Sequence, residues 1–251
     1  MKPWPESFWA ALPLGRGVAV LARDANGLAA LAKPAGLLSH PNQRGEEPRS
    51  LLQAAYHEEG EYFQLPDPAQ RIWLLNRLDS ATSGVILVAA DPELAAAVRA
   101  QFELKRVRKL YAALVFGRPK LPAEDWRDRL TVQRSAGRIR TAPGHIPAEC
   151  RMQVTKAGHG RPALSLLRLE PITGRSHQLR VQCAKRGLPI VGDQTYGDFR
   201  RNREFARATG VKRLFLHALE TSFSYRLGGR EFAFSAQAPL PAEFEGALEK
   251  V

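Results

Sequence analysis

Two wholly apolar runs, IWLL at 72–75 and VILVA at 85–89, flank the polar stretch NRLDSATSG at 76–84. Runs this short with no polar alternation suit strands covered on both faces. NRLDSATSG then has to carry the chain out of one buried strand and into the next. Arg77 and Asp79 therefore stand close together where the chain turns, and a fold has to be found that gives such a turn a reason.

The same punctuation of short apolar segments by turn residues runs through the chain. GVAVLARD and LAALAKPAG read as a hairpin around DANG, with Pro34 and Gly36 closing the second strand. Residues 50 to 59 read as a helix. Asp91 before Pro92 is a helix start, because Asp caps free amides and Pro fits the first helical position. Leu94, Val98 and Phe102 then share one face of a helix running to about Lys105. KLYAALVFG alternates as a strand, with Tyr111 the odd member of its face. Residues 118 to 162 are polar and rich in Arg, Gly and Pro, and read as exposed hairpins and loops. ALSLLRLEPI is a strand, TGRS a turn and HQLRVQCAKR a helix stopped by Gly187. Residues 200 to 208 suggest a short basic helix, while LFLHALETSFSY and EFAFSAQAP supply the last strands. Hairpins mixed with a few helices predict an α+β fold with a mainly antiparallel sheet. Residues 1–17, with Trp4, Phe8 and Trp9 among prolines, predict an arm packed on the body, and 18–251 one catalytic domain.

Charge narrows the partners. The 37 Lys and Arg exceed the 25 Asp and Glu, a net +12, which favours a polyanion such as nucleic acid or an acidic membrane surface. Cys150 and Cys183 are too few for a disulfide framework and lack metal-ligand spacing, so a reducing cytoplasm is the expected setting. No stretch approaches a membrane span, and a soluble protein is expected. The six histidines show no paired ligand spacing, and no metal is expected. GHGRP at 158–162 lacks the pattern of a phosphate-binding loop.

By position alone Asp79 is a turn former. A second arginine-bearing turn, TGRSHQLR, opens the way to chemistry: were Arg180 to meet Asp79 in a partly buried cleft, the cation would favour the ionised carboxylate and leave a nucleophile or base at neutral pH. A structural Asp–Arg pair fits the same spacing.

The blocks LAKPAGLLSHP, NRLDSATSGVILVA, KLYAAL, ITGRSHQLRVQCAKRGLPIVGDQTYG and RLFLHAL, in this order, resemble the successive motifs of the RluA family of RNA pseudouridine synthases. The match spans about residues 18 to 240. It implies conversion of selected uridines in structured RNA, transfer or ribosomal, to pseudouridine, without cofactor or metal, on a mixed, mostly antiparallel sheet with a central cleft. By motif, Asp79 is the catalytic residue, Tyr111 stacks on the target base, and Arg180 pairs with the catalytic carboxylate. Arg77 fills the space left by the flipped nucleotide. The resemblance further implies RNA contacts for Lys109, Arg175 and His177, a place in the base pocket for Leu216, and a tight turn beside the active site for KPAG. A monomer with no obligate protein partner is expected.

The family's usual His at the head of the second block is Asn76 here, and AECRMQV fits the family's strand before the fourth block poorly. No room is left for a separate N-terminal S4 domain, so RNA affinity is expected from the catalytic body, where QFELKRVRKLY through RLTVQRSAGRIRT is basic. The rival from another class is a noncatalytic RNA-binding protein of the same fold. A glycoside hydrolase would want a second carboxylate in a comparable motif, and none stands out.

Overall fold

The computed structural model describes residues 4–135, 138–158, 160 and 162–249. Pro3 of the expected arm, and Ala136, Gly137, His159 and Arg161 of the expected basic loops, lie outside the described residues. The chain divides into two compact units, one made of the residues up to Arg108 with Glu220–Ala238, the other of Lys109–Leu219 with the residues from Pro239 on.

In the first unit, β1 (Ala19–Arg23) and β2 (Leu28–Lys33) form the expected hairpin. Its turn is shaped by Asp24, whose carboxylate accepts from the amides of Asn26 at 2.9 Å and Leu28 at 3.0 Å. Strand β2 pairs with β6 (Ser83–Ala89), which pairs with β5 (Arg71–Leu74), then β4 (Tyr62–Gln64) and β3 (Ala55–His57), every pair antiparallel. All seven residues of β6 are buried, as its unbroken apolar run requires. Helix α2 (Pro92–Glu103) starts where expected: the Asp91 carboxylate accepts from the Leu94 amide at 2.9 Å. Its Leu94, Ala95 and Val98 pack with Leu28, Val85 and Leu87 and with Phe223, Tyr225 and Phe234. Each large apolar side chain buried there contributes roughly 1.5–3 kcal/mol. At the N-terminal end, α1 (Glu6–Ala10) buries Trp9, and the Trp4 ring lies so close to Gly27 that a Cβ there would come within 2.5 Å.

Residues 50–59 are not a helix. After a 3₁₀ turn at Glu47–Arg49, the Leu51 carbonyl accepts from the Gly15 amide and the Gln53 amide donates to Pro13. Leu51 and Leu52 are both fully buried in this irregular segment. Pairing with the N-terminal arm satisfies its backbone and overrides its local helical preference.

In the second unit the strand order is β7 (Arg108–Phe116), β11 (Leu164–Pro171), β10 (Ile146–Ala157), β8 (Ala123–Ser135) and β9 (Arg138–Pro143). Strand β12 (Leu216–Leu227) begins in this unit and ends in the first, where Glu220–Leu227 pairs with β13 (Arg230–Gln237). Helices α3 (Gln178–Lys185), α4 (Phe199–Thr209) and α5 (Ala242–Glu249) complete the described elements. The architecture is α+β with a mostly antiparallel sheet.

In the segment 118–162 the expected hairpins are present, but their expected exposure is corrected, because β8 and β10 are strands of 13 and 12 residues that bury one face. Trp126, Asp128, Leu130, Ala148, Cys150 and Met152 form that face. Its period-two signal is diluted by a buried acid. Asp128 accepts from Lys185 at 2.6 Å, Arg186 at 2.8 Å and Gln182 at 2.9 Å, all of α3 or its C-terminal edge. Burial pushes its carboxyl upward, but these donors outweigh burial and hold it below its ordinary value. Cys150 of β10 and Cys183 of α3 are both buried thiols. Burial pushes Cys150 up to about 12 and raises Cys183 as well.

Candidate active site

The candidate residues fall on both units: Arg77 and Asp79 on the first, and Lys109, Tyr111, Arg175, His177, Arg180 and Leu216 on the second.

In the first unit, NRLDSATSG is clamped from both sides. Asn76 closes the turn onto β6, its side-chain oxygen accepting from the Leu87 amide at 2.7 Å. The residue that departs from the family pattern thus has a backbone-pairing job of its own. Thr82 N–H donates to the Asp79 carbonyl at 3.0 Å, tightening the loop tip. The segment KPAGLLSH grips it from the other side. Ser39 Oγ lies 2.8 Å from the Leu78 carbonyl and 3.1 Å from the Leu78 amide. Gly36 N–H donates to the Ser80 carbonyl at 2.8 Å, and Lys33 Nζ donates to the same carbonyl at 3.0 Å. Lys33 is only 1% exposed, and its ammonium also donates to Leu37 at 2.6 Å and Pro34 at 3.0 Å. A buried ammonium needs such a set of acceptors to offset its lost hydration. Leu78 and Thr82 are buried on either side of half-buried Asp79. The carboxylate therefore stands on backbone fixed two residues or fewer away on both flanks. Arg77, next but one, points elsewhere: it is exposed and its ion-pair partner is Glu61, which also meets Arg99 at 3.3 Å.

In the second unit, Tyr111 lies on β7 opposite Leu169 of β11 and is half-buried among buried neighbours. Lys109, two residues earlier, shares its face of the strand. Burial pushes the Lys109 ammonium below the usual lysine range. The TGRS turn comes close to Lys109, its Gly174 lying beside Lys109 Nζ.

That turn is shaped by Gln178, whose side-chain oxygen accepts from Thr173 Oγ1 at 2.7 Å and the Arg175 amide at 3.1 Å. Arg175 itself is exposed. His177 takes the left-handed conformation, φ 53°, to start α3, which is unfavourable for a residue with a Cβ. A contact between its Nδ1 and Tyr196 Oη at 2.9 Å fixes it there. Tyr196 Oη also accepts from the Thr141 amide at 2.7 Å, and its ring lies under the Arg180 guanidinium at 5.2 Å.

Arg180 is buried and paired. Its Nε donates to one oxygen of Asp193 and its Nη2 to the other, both at 2.8 Å, a two-pronged fork with side-chain exposures of 8% and 1%. The amides of Thr195 and Tyr196 donate to the same carboxylate at 2.8 and 3.0 Å. Burial pushes the Asp193 carboxyl up, yet the Arg180 and backbone donors more than reverse it, and its pKa lies below the ordinary value. Sequence reasoning assigned no role to Asp193, Tyr196, Lys33 or Ser39. The only advance sign of the first two was GDQTYG, an Asp in a turn with an aromatic three residues on. Leu216 opens β12 and is buried.

Among the described residues no group of three or more His, Cys, Asp or Glu could hold a metal, and no helix is long and apolar enough to cross a membrane.

The sequence matches the model of the RNA pseudouridylate synthase family over residues 27–185. It is 33% identical over 183 residues to the ribosomal large subunit pseudouridine synthase C of Vibrio cholerae, an alignment covering 73% of this chain and 56% of that protein. The chain thus spans a little over half the length of that relative. To the tRNA pseudouridine synthase C of Haemophilus ducreyi it is 32% identical over 216 residues, covering 82% of this chain and 85% of the other. In three dimensions it resembles human RNA pseudouridylate synthase domain containing 4, with a TM-score of 0.67 at 23% identity over 97% of this chain and 95% of that one.

Proposed function

Because the chain belongs to the RNA pseudouridylate synthase family, we propose that it isomerises selected uridines of structured RNA, transfer or ribosomal, to pseudouridine. The observation that carries this reading is the clamped loop holding Asp79 inside the family match, with backbone hydrogen bonds at Leu78, Ser80 and Thr82. A catalytic carboxylate has to be held to a fraction of an ångström, and rigid support close to the residue supplies this.

The proposed sequence of events follows from the chemistry. The target nucleotide leaves its stack at a cost of roughly a few kcal/mol. Stacking on Tyr111 returns about 1–3 kcal/mol. Asp79 acts on the nucleotide so that the C1′–N1 bond breaks, the uracil turns in place, and C1′–C5 forms. The C5 proton departs and N1 gains one, so atoms and electrons balance without an oxidant or reductant. From the family motif we assign Arg180, whose Nε and Nη2 are held by Asp193, the role of the arginine that serves the catalytic carboxylate. Arg77, Lys109, Arg175 and His177 contact the RNA, and Leu216 lines the base pocket.

Asp79→Asn tests the reading. It is expected to abolish pseudouridine formation, mapped in cellular RNA with and without the protein, while RNA binding persists. Unchanged modification would remove Asp79 from the mechanism. If the wild-type protein modifies nothing yet binds RNA, the noncatalytic alternative holds. Release of free uracil would identify a glycosidase.

A further inference from the structure

Helix α4 and the residues after it, 199–213, carry six basic side chains and one acidic, Glu204. The helix is firmly mounted. Asp198 caps its start, accepting from the Arg201 amide at 3.0 Å, and Gly210 in the left-handed conformation ends it. Its buried face holds Phe205, edge-on to Phe116 and Phe215 with centroids 6.2 and 5.4 Å away, and Asn202. Asn202 accepts from the Gly192 amide at 2.8 Å and donates to the Asp193 carbonyl at 2.9 Å. The helix is therefore fastened to the same segment whose carboxylate holds Arg180.

Two of the cations have structural partners. Arg201 pairs with Asp198 at 3.4 Å, and Arg213 with Glu243 at 3.8 Å while lying over Phe244. Arg200, Arg203 and Arg207 are exposed at spacings of three and four, forming one row about 10 Å long on the outer face. Arg200 meets Glu204 only at 3.9 Å with both side chains mostly in solvent, a pair too screened to hold Arg200 against a stronger anion. Among the described residues neither Arg203 nor Arg207 makes an ion pair. Beside the row at the first turn stands Phe199, 51% exposed.

The placement runs against local electrostatics. A helix N-terminus carries a partial positive charge and favours acids over cations. Asp198 at the cap answers the dipole and Arg201, while the first turn itself has no acid and Arg200 there keeps its charge in solvent. An anion arriving on this face meets a row of like charges and offsets their mutual repulsion.

We infer that the outer face of α4 docks the phosphate backbone of the RNA, with Arg200, Arg203 and Arg207 on successive phosphates and Phe199 beside them as a stacking surface. This inference rests on the RNA reading above. It adds a contact surface to those assigned above.

The test is equilibrium binding of fluorescently labelled, unfractionated transfer RNA over a series of KCl concentrations. The variant Arg200→Gln/Arg203→Gln/Arg207→Gln is compared with a control that loses the same charge at exposed positions elsewhere, Arg16→Gln/Arg226→Gln/Arg230→Gln. Each lost phosphate contact lowers the slope of log affinity against log salt by about 0.7–0.9, so the α4 variant is expected to lose about 2–3 from that slope. The control is expected to keep the wild-type slope. A wild-type slope in the α4 variant overturns the inference, and so does an equal loss in the control, which would make the effect one of net charge. A wild-type protein that binds no RNA at any salt instead sinks the proposed function itself.

Discussion

Asp193 carries more of the candidate site than any residue whose role could be read in advance. Four donors converge on its carboxylate, two from the Arg180 guanidinium and two from the Thr195 and Tyr196 amides. Cutting one partner out of such a buried pair leaves the other charge without compensation and costs about 3–5 kcal/mol. Asp193→Ala is expected to lose stability of that order in urea denaturation. Asp193→Asn keeps the size but not the charge, and is expected to lower kcat for pseudouridine formation while leaving KM for RNA close to wild type. A variant whose KM rises with kcat unchanged would assign Asp193 to RNA binding instead of to positioning Arg180.

At the scale of elements, the loop between β5 and β6 depends on residues some 40 positions earlier. Ser39 Oγ serves both the amide and the carbonyl of buried Leu78. In Ser39→Ala those backbone groups lose a partner out of reach of water, and the expected loss is about 1–3 kcal/mol. Because the loop also holds Asp79, kcat is expected to fall with it, and single-turnover rates measured below the unfolding midpoint check this. Intact chemistry in a destabilised variant would mean that the clamp supports the fold alone.

Elements with a strong local signal were readable from sequence: the DANG hairpin, the Asp91–Pro92 helix start, and the apolar run that became β6. Leu51 and Leu52 misled because the residues that pair with their segment, Pro13 to Gly15, lie far away in the chain. The face of β8 and β10 was hidden by Asp128, since a buried acid looks like a solvent residue until its donors on α3 are in view. Motif resemblance singled out Asp79 and Arg180, but Lys33 and Ser39 support the loop through backbone carbonyls and amides that no side-chain pattern reveals.

For the molecule as a whole, two buried carboxylates set the response to acid. Asp128 and Asp193 both titrate below the unfolded carboxylate value of about 3.9. Their contribution is therefore fully present above that value and drains away as pH falls through it towards their folded values. Urea midpoints measured downward from neutrality are expected to hold until about pH 5 and then drop. Asp128→Asn is expected to start lower and fall less steeply. A flat wild-type profile to pH 3, about one unit below that carboxylate value, would contradict the donor sets seen around these two acids.

The two thiols have a practical corollary. Cys150 and Cys183 are the only cysteines in the sequence, and both are shut inside the second unit and held in the neutral form. Maleimides and other thiol reagents attack the thiolate, so the folded wild-type chain offers them no target. A single cysteine placed on the surface will take a dye or spin label alone, and the native pair need not be replaced first.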